Sequence, residues 1–531
     1  MYKFRNTILF LLILLFIVIE LLFIKFPVHP NFVIDLDTGA MASIARSIGK
    51  KAEYSYLVPY HVIFLDRIFP IMVIERHGAL ELYLTYPFLL CFGNNIEALR
   101  IAAIFWGVII IILTYYFVSN MFNVKIALLV ILLLALNSNF INFMRWWSVF
   151  GFTMPVFTVT SLLLFWNYLK TKKEIFFYFG MFILSLGLNA KGWFIWFIIA
   201  LIMSSVIQWR KLYLSIKTIS VGFLFFILGI SPIIYFNIKS KGALISFLYR
   251  NLHITGEGIN NLQFVKNLFI RIAHLTILIN RDIYTGGCLG FLKNFPFLFL
   301  ALTIIGTLYL AVVKKRTVFS RDRILFILSL AVFTFFLSVF TATTFYPGHL
   351  YILLPFLQIL LAVGIYELFA FFRQRIFKIF LSFMLFTLLT AEIGKCFASY
   401  KIYKDIKEIN KGSSEYDIAA WLSIHKQKNK IIWCDYVWPA YIFFLYDNIT
   451  PFQVKSCYFN HKKSNDIEIF SKEIITEIED SRNTFIFVNV DESFEYKVFI
   501  NLVGKLGKKI FEEKKFVNNK GETKFLICSL K

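Results

Sequence analysis

Long uncharged apolar runs recur through the first 396 residues, and they limit this chain more than any other feature. A helix needs about 20 apolar residues to cross a hydrocarbon layer, and inside lipid its backbone must satisfy its own polar groups. The pattern predicts about eleven spans, near 8–26, 97–119, 124–144, 149–169, 175–190, 192–209, 217–237, 296–313, 324–343, 349–370 and 376–396. Composition agrees: 59% of the 531 residues are hydrophobic and 64 are Phe, against roughly half apolar in soluble domains. The predicted fold class is mainly α, a polytopic transmembrane helical bundle. The first run lacks a small-residue cleavage site after it and reads as a retained span.

Basic residues orient the bundle. Lys3 and Arg5, Lys170 with Lys172 and Lys173, Arg210 with Lys211, Lys314 to Arg316 with Arg321 and Arg323, and Arg373 to Lys378 occupy alternate loops. This places the N-terminus in the cytoplasm and, with an odd number of spans, the C-terminal segment outside. The net charge of +23 therefore reports topology before any acidic partner, and nucleic acid is not an expected partner. Two long loops lie outside. The first, Pro27 to Glu97, contains Ala79 to Phe92, too short to span and expected as a helix in the interface or re-entering it. The second, about Lys239 to Phe295, carries Arg250, His253, Glu257, Arg271, His274, Arg281 and Asp282, a length and mixture that a bare linker rarely needs.

After about residue 400 the apolar runs stop and charges become frequent. Ile431 to Val437 and Thr484 to Val490 read as buried strands. Ser414 to His425 and Ser493 to Leu506 read as helices. Lys509 to Val517 and Glu522 to Leu530 read as a hairpin turning at Asn518 to Gly521. The expected division is a membrane domain over 1–396 and a small extracytoplasmic α/β domain over 397–531. The six cysteines form no CxxC pair, so no thiolate zinc site is indicated; Cys434 and Cys457 are the candidates for a bridge.

The first external loop opens with Asp35-Leu36-Asp37-Thr38-Gly39-Ala40-Met41-Ala42-Ser43-Ile44-Ala45-Arg46, just after Pro27 and Pro30 end the first span. Met41, Ala42 and Ala45 share a face, which predicts a short amphipathic helix in the interface. Asp37 opens it, where a helix dipole favours negative charge. The same residue is equally readable as a plain N-cap.

The order of features resembles the glycosyltransferase C superfamily, in the branch of bacterial relatives of protein O-mannosyltransferases and of the lipid A aminoarabinose transferase. Those enzymes carry an acidic D-E-A-x-Y-A-x-x-A-R motif in the first external loop. Asp37 to Arg46 fits it with Asp37, Ala42, Ala45 and Arg46 in register, while Thr38 and Met41 replace the second acid and the aromatic. His77-Gly78-Ala79-Leu80-Glu81-Leu82-Tyr83 and Phe92 to Arg100 look like the family's following basic and aromatic stretch. Gly187-Leu188-Asn189-Ala190-Lys191-Gly192 resembles its G-L-x-x-x-K-G turn, and Tyr346 to Pro355 its late basic-Tyr-Leu-Pro motif. The resemblance covers roughly residues 1–395.

It implies a sugar donor on a polyprenyl phosphate and an acceptor hydroxyl on a lipid, glycan or protein, at the outer face of the cytoplasmic membrane. Such a transfer needs a carboxylate to take the acceptor's proton and cations to stabilise the departing phosphate. Asp37 is the expected base and Asp35 the alternative. Arg46, Arg76, His77, Lys191, Arg250 and His349 are the expected contacts to phosphate or acceptor. Arg46 and Lys191 also suit snorkelling to the interface, and Arg145 beside Trp146 and Trp147 suits an aromatic belt. No cofactor is demanded; Glu75, His77 and His349 have the donor types for a divalent metal, though no local spacing requires one. The competing classes are a polymerase or ligase using a diphosphate-linked donor, a flippase or transporter, and a non-catalytic scaffold. Transporters keep their charged and broken segments near the midplane, whereas here they gather in two loops on one side.

Overall fold

The computed structural model describes residues 2–23, 36–51, 60–74, 77–93, 95–145, 153–206, 214–246, 263–281, 294–314, 317–340, 347–409, 431–434, 454–456, 474–475, 478–479, 483–488, 494–517 and 523–530. Their chain clusters into two compact units. The first holds Met1–Pro30, Ile71–Glu81 and Arg100–Tyr403; the second holds Asn31–Pro70, Leu82–Leu99 and Lys404–Lys531.

Helices stand at every expected span. They are α1 (Tyr2–Phe23), α4 (Ile96–Met121), α5 (Val124–Leu136) with α6 (Ser138–Arg145), α7 (Thr153–Thr171), α8 (Glu174–Ala190), α9 (Phe194–Ser205) and α10 (Ile216–Lys239). After them come α12 (Phe295–Leu308, extended by a π turn over Tyr309–Val313), α13 (Arg321–Leu337), α14 (Leu354–Phe371) and α15 (Arg375–Ile409). Among the described residues seven stretches are long and apolar enough to cross a membrane singly, and α8 and α9 are shorter apolar helices. Outward residues such as Phe10, Leu224 and Phe386 are exposed, as side chains facing lipid tails should be.

Close approach of helices rests on small residues, as is usual where lipid supplies no hydrophobic drive between them. A Cβ at Gly229 of α10 would overlap Ser185 Oγ of α8, and a Cβ at Gly364 of α14 would meet Thr307 Oγ1 at 2.9 Å. An apolar cavity of about 570 Å³ lies between α1 and α15, lined by Leu15, Ile19, Leu22, Leu136, Phe397 and Tyr400.

The stretch 124–144, expected as one span, bends by 68° between α5 and α6. Asn137 is the cause. Its backbone is extended and its N–H returns to Leu134 O, while its Oδ1 accepts Phe140 N at 3.0 Å and so starts the next helix. Glu392 of α15 fixes the break: its Oε2 accepts Asn137 Nδ2 at 3.2 Å and Ser138 N at 3.3 Å. Lys395 neutralises Glu392 and donates to Ile279 O at 3.0 Å. The second long loop contains α11 (Phe264–Asn280), in keeping with a length that a bare linker rarely needs. Asn267, Arg271 and Leu278 are buried along it, an i, i+4, i+11 spacing that aligns them on one face.

In the second unit α2 (Leu36–Ser47) confirms the expected helix. Its last turns are buried more fully than an interface helix requires: Met41, Ala42, Ile44, Ala45, Arg46, Ser47 and the following Ile48 are all buried. The strands β1 (Tyr60–Phe64) and β2 (Arg67–Ile74) form a hairpin that the spans gave no reason to expect, and the end of β2, which belongs to the first unit, pairs there with the two-residue β3 (His77–Gly78). The turn residues Leu65 and Asp66 have φ of 50° and 59°, the left-handed geometry of a tight hairpin. Arg67 Nη1 donates to Gly49 O at 2.7 Å. From α3 (Leu80–Phe92), Tyr83 and Tyr86 hydroxyls donate to Pro70 O and Ile48 O at 2.8 and 3.1 Å.

The C-terminal sheet has order β5-β4-β6-β8-β7, from β4 (Ile431–Cys434), β5 (Val454–Ser456), β6 (Thr484–Val488), β7 (Ile510–Val517) and β8 (Thr523–Leu530). β5, β4 and β6 are parallel, and β8 runs antiparallel to β6 and β7. Alternate residues Phe485 and Phe487 of β6 and Leu526, Cys528 and Leu530 of β8 face Phe499 and Val503 of α16 (Phe494–Lys505) in one core. The helix expected over Ser414 to His425, and Cys457, lie outside the described residues.

Lys395→Met should lower stability by about 3–5 kcal/mol, because it leaves Glu392 buried without its counter-charge. Glu392→Gln/Lys395→Met, with no charge to bury, should recover part of that loss. Thermal unfolding of the two purified variants in detergent checks the order.

Candidate functional site

Three stretches that are distant in sequence meet in the first unit. The first is the turn from β3 into α3. His77 and Gly78 are buried, and β3 packs on the end of α8. A Cβ at Gly78 would overlap both Oδ1 and the backbone carbonyl of Asn189, so only glycine permits this approach. Asn189 is held in turn by a 3.3 Å hydrogen bond from its Nδ2 to Gly229 O. Three residues beyond Gly78, Glu81 enters the first turn of α3 with 1% exposure. Burial pushes its carboxyl up to about 8, against the pull of the positive charge on Lys191. Its Oε1 has no hydrogen-bond partner among the described residues.

The second stretch is the α8–α9 connection. Lys191 caps α8 through its backbone N–H to Gly187 O, and its side chain is 1% exposed. The ammonium lies 4.9 Å from the ring centre of Trp193, a cation–π contact that desolvation strengthens. The third stretch is the 3-10 helix Pro347–Leu353 that leads into α14. His349 meets the Trp193 ring edge-on at 3.8 Å between centroids. Two residues on, Tyr351 stacks on Phe143 of α6 at 4.0 Å, and its buried hydroxyl has no hydrogen-bond partner among the described residues.

α11 packs against this 3-10 helix. Arg271 is fully buried and donates through Nε to Ser338 O at 3.3 Å. Burial draws its guanidinium down to about 10, and burial together with Arg271 draws His274 down to about 4, so His274 is neutral at physiological pH. Asn139 of α6 ties to the end of α11 through 2.7 Å hydrogen bonds to Leu278 O and Arg281 O. A buried ammonium over a Trp ring whose edge meets an imidazole, with a buried guanidinium on the helix packed against that imidazole's 3-10 helix, favours an anion. Fixed charges act far more strongly there than in water.

Of the residues expected from sequence, His77, Lys191 and His349 thus fall in one neighbourhood. Arg46 is buried in the second unit, on α2. Asp37 lies in the first turn of α2, and its side chain is outside the described residues, as are Asp35, Arg76 and Arg250 entirely. Among the described residues no three His, Cys, Asp or Glu side chains form a metal-ligand set; Glu75 is not among them. Sequence reasoning missed Glu81, Trp193 and Arg271. Glu81 was readable as an acid in an otherwise apolar helix, and Arg271 from the spacing of Asn267, Arg271 and Leu278.

Gly78→Ala should destabilise by about 1–3 kcal/mol, since the added methyl must part β3 from Asn189. Gly504, with open space where its Cβ would lie, should accept alanine without loss. Unfolding midpoints of the two variants measured side by side check this contrast.

Residues 76–236, which include His77, Glu81 and Lys191, match the family model described as dolichyl-phosphate-mannose-protein mannosyltransferase. No curated protein matches the chain by sequence. The structure is similar to ArnT from Cupriavidus metallidurans bound to undecaprenyl phosphate, with a TM-score of 0.63, 11% identity and 97% of each chain covered. It is also similar to the Archaeoglobus fulgidus oligosaccharyltransferase tethered with an acceptor peptide, with a TM-score of 0.53, 12% identity, and 98% of this chain and 74% of that one covered. AglB from the same organism, in complex with an inhibitory peptide and a dolichol-phosphate, gives a TM-score of 0.51 at 13% identity over the same shares. At these identities the likeness is one of fold. By its helical bundle and small C-terminal sheet the chain shares the fold of these proteins, with seven helices among the described residues long and apolar enough to cross a membrane, and over 76–236 it carries the signature of the mannosyltransferase model.

Proposed function

We propose that this protein transfers a sugar from a polyprenyl-phosphate donor to a hydroxyl of a lipid, glycan or protein acceptor, at the outer face of the cytoplasmic membrane. The observation that carries the reading is the α8–α9 connection, where the buried Lys191 ammonium lies over Trp193, His349 meets the same ring, and the His77–Gly78 strand packs on the end of α8. The undecaprenyl phosphate bound to ArnT and the dolichol-phosphate bound to AglB support the class of donor. The apolar cavity between α1 and α15 is of a kind that suits part of an isoprenoid tail. The N-terminus is cytoplasmic in this reading. The membrane domain runs over 1–396, and the α/β domain over 397–531 is external, by the alternation of basic loops.

In the reaction the acceptor oxygen attacks the anomeric carbon. The bond from that carbon to the phosphate oxygen breaks, and its electron pair stays with the polyprenyl phosphate. The acceptor's proton passes to Asp37, the base in register with the family's acid, with Asp35 the alternative two residues before it. Lys191 and Arg46 take the negative charge of the leaving phosphate, with His77 and His349 as further donors and Arg76 and Arg250 completing the set. Arg46, being buried rather than at a lipid surface, fits a phosphate contact better than a snorkelling side chain.

Asp37→Asn keeps size and hydrogen bonding but cannot take a proton. Turnover should fall by about 10²–10⁴-fold with donor binding little changed. The measurement is transfer by purified protein from extracted polyprenyl-phosphate sugar to an envelope acceptor fraction. Unchanged turnover in Asp37→Asn with Asp35→Asn inactive would move the base upstream; unchanged turnover in both would remove carboxylate catalysis.

A further inference from the structure

Glu81 has no part in the reaction just described, yet it is the group in the cluster least at home there. It is a carboxyl with 1% exposure and an Oε1 that has no hydrogen-bond partner among the described residues. Leaving a buried carboxylate oxygen unsatisfied is costly, and leaving it charged is costlier. The turn that carries Glu81 begins at Gly78, whose close approach to Asn189 holds β3 against the end of α8. The titratable groups on the elements packed there are His77 on β3 and Lys191 at the end of α8, with His349 across the Trp193 ring. Lys191 supplies an attractive field at Glu81.

Two negative groups then compete for one ammonium. With the site empty, a Glu81 carboxylate and the Lys191 ammonium offset each other. A phosphate arriving at Lys191 adds negative charge beside Glu81 and favours its neutral form. We infer that Glu81 is a proton-linked selector of the donor: as a neutral acid it admits the phosphate end of a polyprenyl phosphate at Lys191, and as a carboxylate it opposes it. The inference rests on the proposed role of Lys191. Binding then takes up a proton, and affinity falls as pH rises through the range in which Glu81 ionises, near 8. Sugar transfer itself still proceeds at the carboxylate already assigned; Glu81 sets whether the phosphate is held.

The test uses the full-length protein in nanodiscs with undecaprenyl phosphate as probe, over about pH 7 to 9.5, with binding read by thermophoresis. Glu81→Gln keeps the shape and cannot ionise. The parent should lose affinity by about tenfold per pH unit above the Glu81 transition, whereas Glu81→Gln should stay within about threefold across the range. Lys191→Met, assayed alongside, separates the two claims. Weakened binding in Lys191→Met together with identical pH profiles for the parent and Glu81→Gln would overturn the role of Glu81 and leave the phosphate site standing. Undiminished binding in Lys191→Met, or no binding by the parent, would overturn both. Matching unfolding midpoints for the parent and Glu81→Gln at pH 7 establish that the glutamine variant is folded. Should Glu81→Gln fail to fold, Glu81→Met, equally unable to ionise, replaces it with the same expected flat profile.

Discussion

Charge that is held away from water must be matched, and in a bundle immersed in lipid that requirement decides where the chain can bend. Several buried charged side chains of the first unit find their partners where regular helix stops. Glu392 and Lys395 join the break at Asn137 to the end of α11. Both carboxylate oxygens of Glu367 accept backbone N–H groups, from Val318 and Phe319, at 2.8 and 2.9 Å just before α13 begins. Lys191 occupies the cap between α8 and α9. Helix ends supply the unpaired N–H and C=O groups that charged side chains need, and charged side chains allow helices to end inside the bundle.

The candidate site uses the same device. Its three contributing stretches are a two-residue strand, a helix–helix connection and a 3-10 helix, none of which pairs all of its backbone internally. Small and aromatic residues bring them together: Gly78 lets the strand touch Asn189, and Trp193 bridges Lys191 and His349. Stacking of Tyr351 on Phe143 links this neighbourhood to α6, whose placement follows from the Asn137 break. The Glu392–Lys395 pair is therefore a support for the site's surroundings as well as for the fold.

The spans were legible because length and hydropathy are physically coupled to bilayer thickness, and a helix stands at each predicted stretch. The hairpin β7–β8 and the strands at 431 and 484 were legible from alternation and turn chemistry. The 68° bend was not, because Asn137 in an apolar run signals only a polar group, and its meaning depends on Glu392, 255 residues away. The hairpin β1–β2 was hidden by a turn of Leu65 and Asp66, which lacks the glycine that usually marks such a loop. In the site, His77, Lys191 and His349 could be read from the order of short motifs. Glu81 stood out only as the acid of an apolar helix; its raised carboxyl comes from burial, against the pull of Lys191, neither of which local sequence shows.

The central claim is that this buried ammonium serves a monophosphate-linked sugar donor. The direct measurement is mass spectrometry of the lipid fraction after the purified protein has been incubated with polyprenyl-phosphate sugar, with and without envelope acceptor. The account predicts that polyprenyl monophosphate accumulates only when acceptor is present, in step with sugar appearing on the acceptor, and that Lys191→Met abolishes both. Intact monophosphate donor alongside consumption of a polyprenyl-diphosphate sugar would contradict it.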